Sequence, residues 1–156
     1  MSKTISIAPV RKTLIVAASQ AHAFEVFTAG IDRWWPKGHN IGGSLPLKSQ
    51  IEPRVGGRWY TLHDDGREVV VGHVRAWEPP SRFVFSWEIS AEWKPDATVA
   101  SEVEVLFVAE GPKQTRVTLE HRDFEALGAE GGEKMRSEVG SGWPTIMDLF
   151  KAEAEK

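Results

Sequence analysis

The sequence predicts an α+β fold in which a curved antiparallel sheet of about seven strands wraps around one long C-terminal helix. Three observations carry this prediction. Pro53–Trp87 holds three strand-like runs separated by an Asp65-Gly66 turn and a Pro79-Pro80 break. Glu102–Arg122 holds two more alternating runs. Met135, Val139, Trp143, Ile146 and Phe150 then recur at spacings of 4, 4, 3 and 4, which is one apolar stripe along a helix. Consecutive strands with short turns form a meander. Its apolar face needs a cover, and the stripe supplies one.

Each element can be justified in turn. Val10–Ala17 alternates as a first strand, with Val10, Lys12, Leu14 and Val16 on one side. Ser19 is placed to cap a helix from about Gln20 to Ala29, because its hydroxyl can accept from a first-turn N–H. Phe24, Phe27 and Ile31 are that helix's apolar stripe, and Gly30 ends it. Ile31–Trp35 makes a short helical turn that Pro36 stops. Trp34 and Trp35 are neighbours and point about 100° apart, so one packs inward and the other covers an opening. Lys37–Ser49 is glycine-rich and polar and reads as a loop, followed by a short edge strand at Gln50–Pro53.

Arg58–His63 carries Trp59, Thr61 and His63 on one face. Asp65-Gly66 suits a two-residue hairpin turn with positive φ at both positions. Glu68–Trp77 follows, with Val70, Gly72, Val74 and Ala76 facing inward and a gap above the sheet at Gly72. Arg82–Ile89 turns Phe83, Phe85, Trp87 and Ile89 inward, and Ser90–Ala100 reads as a loop. Glu102–Ala109 and Thr115–Arg122 form a hairpin with Val103, Val105, Phe107, Val117, Leu119 and His121 inward. Ala126–Gly132 reads as a loop before a helix from about Glu133 to Glu155. Pro144 removes the bond to the Gly140 carbonyl, so a kink or restart is expected at Gly140–Pro144.

A chain of 156 residues is read as one domain, residues 1–156. A net charge of −3 provides no basic excess to replace nucleic-acid counterions. The absence of cysteine excludes disulfides, thiolate metal sites and a cysteine nucleophile, and it suits a reducing cytoplasm. No apolar run approaches the roughly 18 residues of a membrane span, and no signal-peptide pattern opens the chain, so a cytoplasmic protein without membrane insertion is expected. Seven tryptophans stand beside one tyrosine. Each buries about 150–250 Å², so the set implies a large aromatic core or an aromatic-lined cavity.

His121 is the titratable residue that strand parity places on the buried face. There it serves either as a polar anchor or acid/base in a cavity, or as a structural histidine bonded at the sheet end. His63, Asp64 and Asp65 are adjacent turn residues, which do not converge on a metal, and turn chemistry alone accounts for the aspartates. Glu102 and Glu104 share the outer face and read as a solvated surface. No Gly-x-Ser-x-Gly elbow or phosphate loop is present. The sequence therefore assigns no catalytic residue, metal or cofactor. The ligand-contact candidates are Trp34, Trp35, Trp59, Gly72, Trp87, Phe107, His121, Trp143 and Met147.

Several segments carry a family resemblance. The strand–helix opening ending in Trp34-Trp35, Pro53–Tyr60 (PRVGGRWY), Asp65-Gly66, Gly72-His73-Val74, Glu78-Pro79-Pro80, Phe85-Ser86-Trp87, Thr115–His121 (TRVTLEH) and Gly142-Trp143 occur in the order of the START-like, or SRPBCC, superfamily. Within it the chain resembles the branch named for the activator of the heat-shock-protein-90 ATPase. The resemblance implies a helix-grip fold: a strand, two short helices, six strands and a long gripped helix. It implies a cavity too, since members bind lipids, sterols, plant hormones or polyketide intermediates and some are enzymes. It implies no shared catalytic motif. The expected function is binding of a small apolar or aromatic ligand between the sheet and the C-terminal helix, with entry beneath Lys37–Ser49. Two alternatives stand beside it. One is a co-chaperone-like module whose partner is a chaperone or another ATPase. The other is a cyclase or hydrolase using His121.

Overall fold

The computed structural model describes residues 6–36 and 46–156. Strand β1 (Val10–Val16) leads to helices α1 (Gln20–Phe27) and α2 (Ile31–Trp34). Strands β2 (Pro46–Ile51), β3 (Arg58–His63), β4 (Glu68–Glu78), β5 (Arg82–Trp87), β6 (Ser101–Gly111) and β7 (Gln114–Arg122) follow. A 3₁₀ turn at Phe124–Leu127 precedes the long helix α3 (Ala129–Ala154). The seven strands form one curled sheet in the order β1-β7-β6-β5-β4-β3-β2, each pair antiparallel. Helix α3 lays Met135, Val139, Trp143, Ile146, Met147 and Phe150 against the concave face, and all six are buried. Ser19 caps α1 as expected, its hydroxyl accepting from the His22 N–H at 3.2 Å.

Strand β4 departs most from its expected pattern. Simple alternation would turn Val70, Gly72, Val74 and Ala76 inward. Val74 is buried as expected, but Val69 and Val71 are buried rather than Val70, and Trp77 rather than Ala76 faces the core, packing on Phe24 and Phe83. The cause is two register shifts, one opposite Trp59/Tyr60 and one at Val74/Ala76. Each inserts a residue and reverses side-chain parity beyond it, while bending the sheet. The expected gap above the sheet at Gly72 is therefore not there. The backbone of Gly72 lies against β5 so closely that a Cβ would stand 1.7 Å from the Ser86 carbonyl oxygen.

Other boundaries shift for identifiable reasons. The segment read as a loop over Lys37–Ser49 becomes β2 from Pro46 onward, and residues 37–45 lie outside the described residues. At the β3–β4 turn only Gly66 takes a positive φ, of 86°, while the His63 N–H bonds to the Arg67 carbonyl. The turn is thus a three-residue loop with a glycine bulge, not the expected two-residue one. Helix α3 begins four residues before the expected Glu133, because Gly131-Gly132 belongs to its first turn. A side chain at Gly132 would sit 2.4 Å from the Phe124 carbonyl oxygen, so close packing explains that glycine. The helix also continues through Pro144 without a restart, held by the buried side chains on either side.

The outer sheet face is a charge network, not the freely solvated surface expected for Glu102 and Glu104. Arg122 meets Glu102 at 2.7 Å, Glu104 at 2.9 Å and Glu120 at 2.8 Å. Arg75 and Arg82 pair with Glu102 and Glu104 from the next strands. Partial burial by itself would raise both carboxyls, but the arginine bonds outweigh it and hold them below the usual carboxylate range.

The close approach at Gly72 generates a direct test. Gly72→Ala has to push β4 and β5 apart, and overpacking of this kind costs about 3 kcal/mol. Urea unfolding should show a midpoint lowered accordingly; a stability equal to the parent would contradict the close contact.

Candidate functional site

The aromatic side chains divide into two groups along the concave face. One group fills the core. Phe27 contacts Trp34 at 5.1 Å, Phe107 at 5.9 Å and Phe150 at 5.1 Å between ring centroids. Trp34 is anchored by its indole N–H, which donates to the Val26 carbonyl at 2.8 Å. The second group surrounds a cavity of about 560 Å³. Trp35, Trp59, Trp87 and Trp143 form a closed circuit of ring contacts at 4.9, 6.2, 5.6 and 6.0 Å. Most of these contacts are edge-to-face, the arrangement favoured by ring quadrupoles.

The cavity lies between the strands β3, β4 and β5 and one face of α3. Trp59 and Thr61 enter it from β3, Val71 from β4, and Trp87 and Ile89 from the β5 segment. Helix α3 contributes Val139, Gly142, Trp143 and Ile146, with exposed Glu138, Ser141 and Thr145 at the outer edge. Trp93 closes a further side and donates its indole N–H to Glu138 at 2.7 Å. Among the described polar side chains on these walls, apart from the indoles, Thr61 alone is itself buried. The indole N–H groups of Trp59 and Trp87 are buried and have no hydrogen-bond acceptor among the described residues.

Of the nine ligand-contact candidates, the structure gathers Trp35, Trp59, Trp87 and Trp143 around this space. Trp34, Phe107 and Met147 belong to the packed core instead, and Gly72 faces Ser86. His121 lies behind the cavity wall, fully buried, stacked on Phe124 at 4.6 Å. Sequence reasoning did not single out Thr61, Val71, Trp93 or the Glu138, Gly142 and Thr145 edge of α3. The Trp59–Thr61 alternation was a usable signal for Thr61. Val71 was hidden by the bulge, and Trp93 by its position in a loop.

Both ring nitrogens of His121 are engaged. Nδ1 accepts from the Trp143 indole N–H at 3.1 Å, and Nε2 lies 2.7 Å from the Ser101 hydroxyl. An indole can only donate, so Nδ1 carries no proton and Nε2 does. His63 has turned inward from the hairpin tip, with Nε2 2.7 Å from the Thr61 hydroxyl, leaving Asp64 and Asp65 exposed. No group of three potential metal ligands occurs among the described residues.

Burial lowers the His121 pKa to about 3. The folded protein therefore keeps this ring neutral, whereas the unfolded chain protonates it below about pH 6.5. Its contribution to stability is complete above that value and is lost as the pH falls towards 3. Between pH 6.5 and 5, before most carboxylates titrate, unfolding free energy should decline by up to about 1.4 kcal/mol per pH unit. His121→Gln should flatten this part of the profile in urea titrations; an unchanged slope would exclude His121 as its source.

Solved structures supply the comparison. An anthrahydroquino-γ-pyrone synthase is 42% identical, over 82% of this chain and 86% of its own, with a TM-score of 0.58. A self-sacrificing resistance protein from Micromonospora echinospora is 30% identical, over 94% and 93% of the two chains, with a TM-score of 0.69. A protein from Nitrosomonas europaea shares the fold at 15% identity and a TM-score of 0.66, covering 94% and 93%. No curated protein matches the chain. No helix among the described residues is long and apolar enough to cross a membrane. The model of the family described as activator of Hsp90 ATPase homolog 1-like protein matches residues 17–155, and the chain belongs to that family, a START-like one.

Proposed function

We propose that the protein binds a small, flat, mainly apolar aromatic molecule in the cavity between the sheet and α3. The observation that carries this reading is the cavity of about 560 Å³ with five tryptophans around it. Its size lies within the range of roughly 300–1,000 Å³ used by small-molecule sites, and its walls are mainly apolar as such sites are. Indoles recognise other π systems by stacking and edge contacts. The name of the pyrone synthase describes a fused aromatic pyrone, which lends support to a ligand of that kind. The cyclase alternative built on His121 finds no support in this geometry, because His121 lies behind the wall with both nitrogens bonded. A chaperone as partner draws on the family description alone.

Gly142 offers a test that separates binding from folding. It lines the cavity, and a Cβ built there meets nothing within 4 Å. Gly142→Leu should fill the space while raising helix stability by about 0.5–1 kcal/mol. With 2-methylanthraquinone as probe, wild-type tryptophan fluorescence should quench saturably, and Gly142→Leu should lose that response with an unchanged or higher melting temperature. Equal quenching in both proteins would place the probe elsewhere.

A further inference from the structure

We infer that Thr61 is the polar recognition point of the cavity and that it selects ligands carrying a hydroxyl group on an aromatic ring. The inference rests on the cavity reading above and goes beyond it by naming the ligand's functional group. Thr61 lies on the cavity wall and is 5% exposed. Among the described residues its hydroxyl has one hydrogen-bond partner, His63 Nε2 at 2.7 Å, and His63 is not among the residues that line the cavity. A threonine hydroxyl offers one donor and two acceptor sites, so capacity remains on the Thr61 oxygen.

What remains depends on the histidine proton. If His63 Nε2 accepts, Thr61 donates to it and keeps its lone pairs for a donor on the ligand. If His63 Nε2 donates, Thr61 retains its own proton for an acceptor on the ligand. A ligand hydroxyl both donates and accepts, so it is satisfied in either tautomer. A ligand carbonyl is satisfied in only one. The buried indole N–H groups of Trp59 and Trp87 on the same walls can only donate, so they take a ligand hydroxyl or carbonyl oxygen alike, and Thr61 is the buried side chain there that can also accept. The exposed carboxylate of Glu138 already accepts from Trp93 and Lys134, and Ser141 donates to the Ser137 carbonyl within its own helix. His63 thus acts as a positioning residue, holding the Thr61 hydroxyl against the wall.

The test compares 2-naphthol with 2-methylnaphthalene, which have nearly the same shape, in equilibrium dialysis against wild type, Thr61→Val and Thr61→Ser. Removing one buried hydrogen bond should weaken 2-naphthol about tenfold in Thr61→Val and leave 2-methylnaphthalene nearly unchanged. Thr61→Ser should restore the wild-type ratio and keeps the test open if Thr61→Val does not fold. A ratio of the two affinities that is the same in wild type and Thr61→Val would overturn the role of Thr61 while leaving the cavity reading intact. So would a Thr61→Ser ratio unlike that of wild type. Binding of neither probe to wild type would overturn both.

Discussion

The hydrogen bond from the Trp143 indole to His121 Nδ1 is the interaction on which the cavity end of this molecule depends. It crosses from α3 to β7 at the place where solid core gives way to cavity. Each partner is needed by the other. A buried indole N–H and a buried imidazole nitrogen both carry a desolvation penalty when unpaired, and here the two satisfy each other. Ser101 takes the second imidazole nitrogen, and Phe124 stacks on the ring. The imidazole is therefore fixed in tautomer and in plane. Trp143 is fixed through it, and Trp143 is a wall shared by the cavity and by the contacts to Trp35 and Trp87. The charge state matters as much as the geometry. A protonated ring would lose its acceptor at Nδ1, and burial excludes that form near neutrality.

The sheet supplies the complementary wall by bending. Two bulges in β4 increase local twist, and the same bulges carry Val71 into the cavity and Trp77 into the core. Bending brings the backbones of β4 and β5 together at Gly72, where a side chain could not be accommodated. On the convex side the arginine–glutamate network spans four neighbouring strands, β4 to β7, around Arg122. Partly exposed ion pairs of this kind contribute little each, but a network ties register across strands whose concave faces carry the site.

Much of this architecture was legible in the residue pattern, and the limits of that legibility are physical. Alternation located β3, β5, β6 and β7 because each has one apolar face. The adjacency of Trp34 and Trp35 correctly implied that one ring enters the core and the other borders an opening. Parity also put His121 on the buried face. It could not supply the donor from α3, since a contact between His121 and Trp143 depends on how the helix docks. The bulges in β4 were illegible for a related reason: an inserted residue has no compositional signature, so one alternation run through the strand was right at Val74 but assigned the wrong face at Val69, Val71 and Trp77. Gly72 and Gly132 look like gaps or loops in a sequence, yet both are sites of close backbone approach. Within the site, the aromatic walls were visible from tryptophan content, whereas the polar point at Thr61 needed its distance to His63.

A hollow space of this size has to be reconciled with marginal stability. At about 24 cal/mol per Å³ of void, a sealed empty cavity of 560 Å³ would cost on the order of 13 kcal/mol. That is comparable to the whole stability of a typical domain, about 5–15 kcal/mol. The space is accordingly not a sealed void. Its outer edge carries the exposed residues Glu138, Ser141 and Thr145, so water or a ligand has a way in. The walls resist collapse because indoles are rigid and already packed edge-to-face against one another, and because Gly142 on α3 places no side chain in the opening. A core built only for stability would fill that opening with a larger residue on α3, at a gain in helix propensity. Its retention, next to one buried hydroxyl with spare hydrogen-bonding capacity, is the physical case for a site shaped around a ligand.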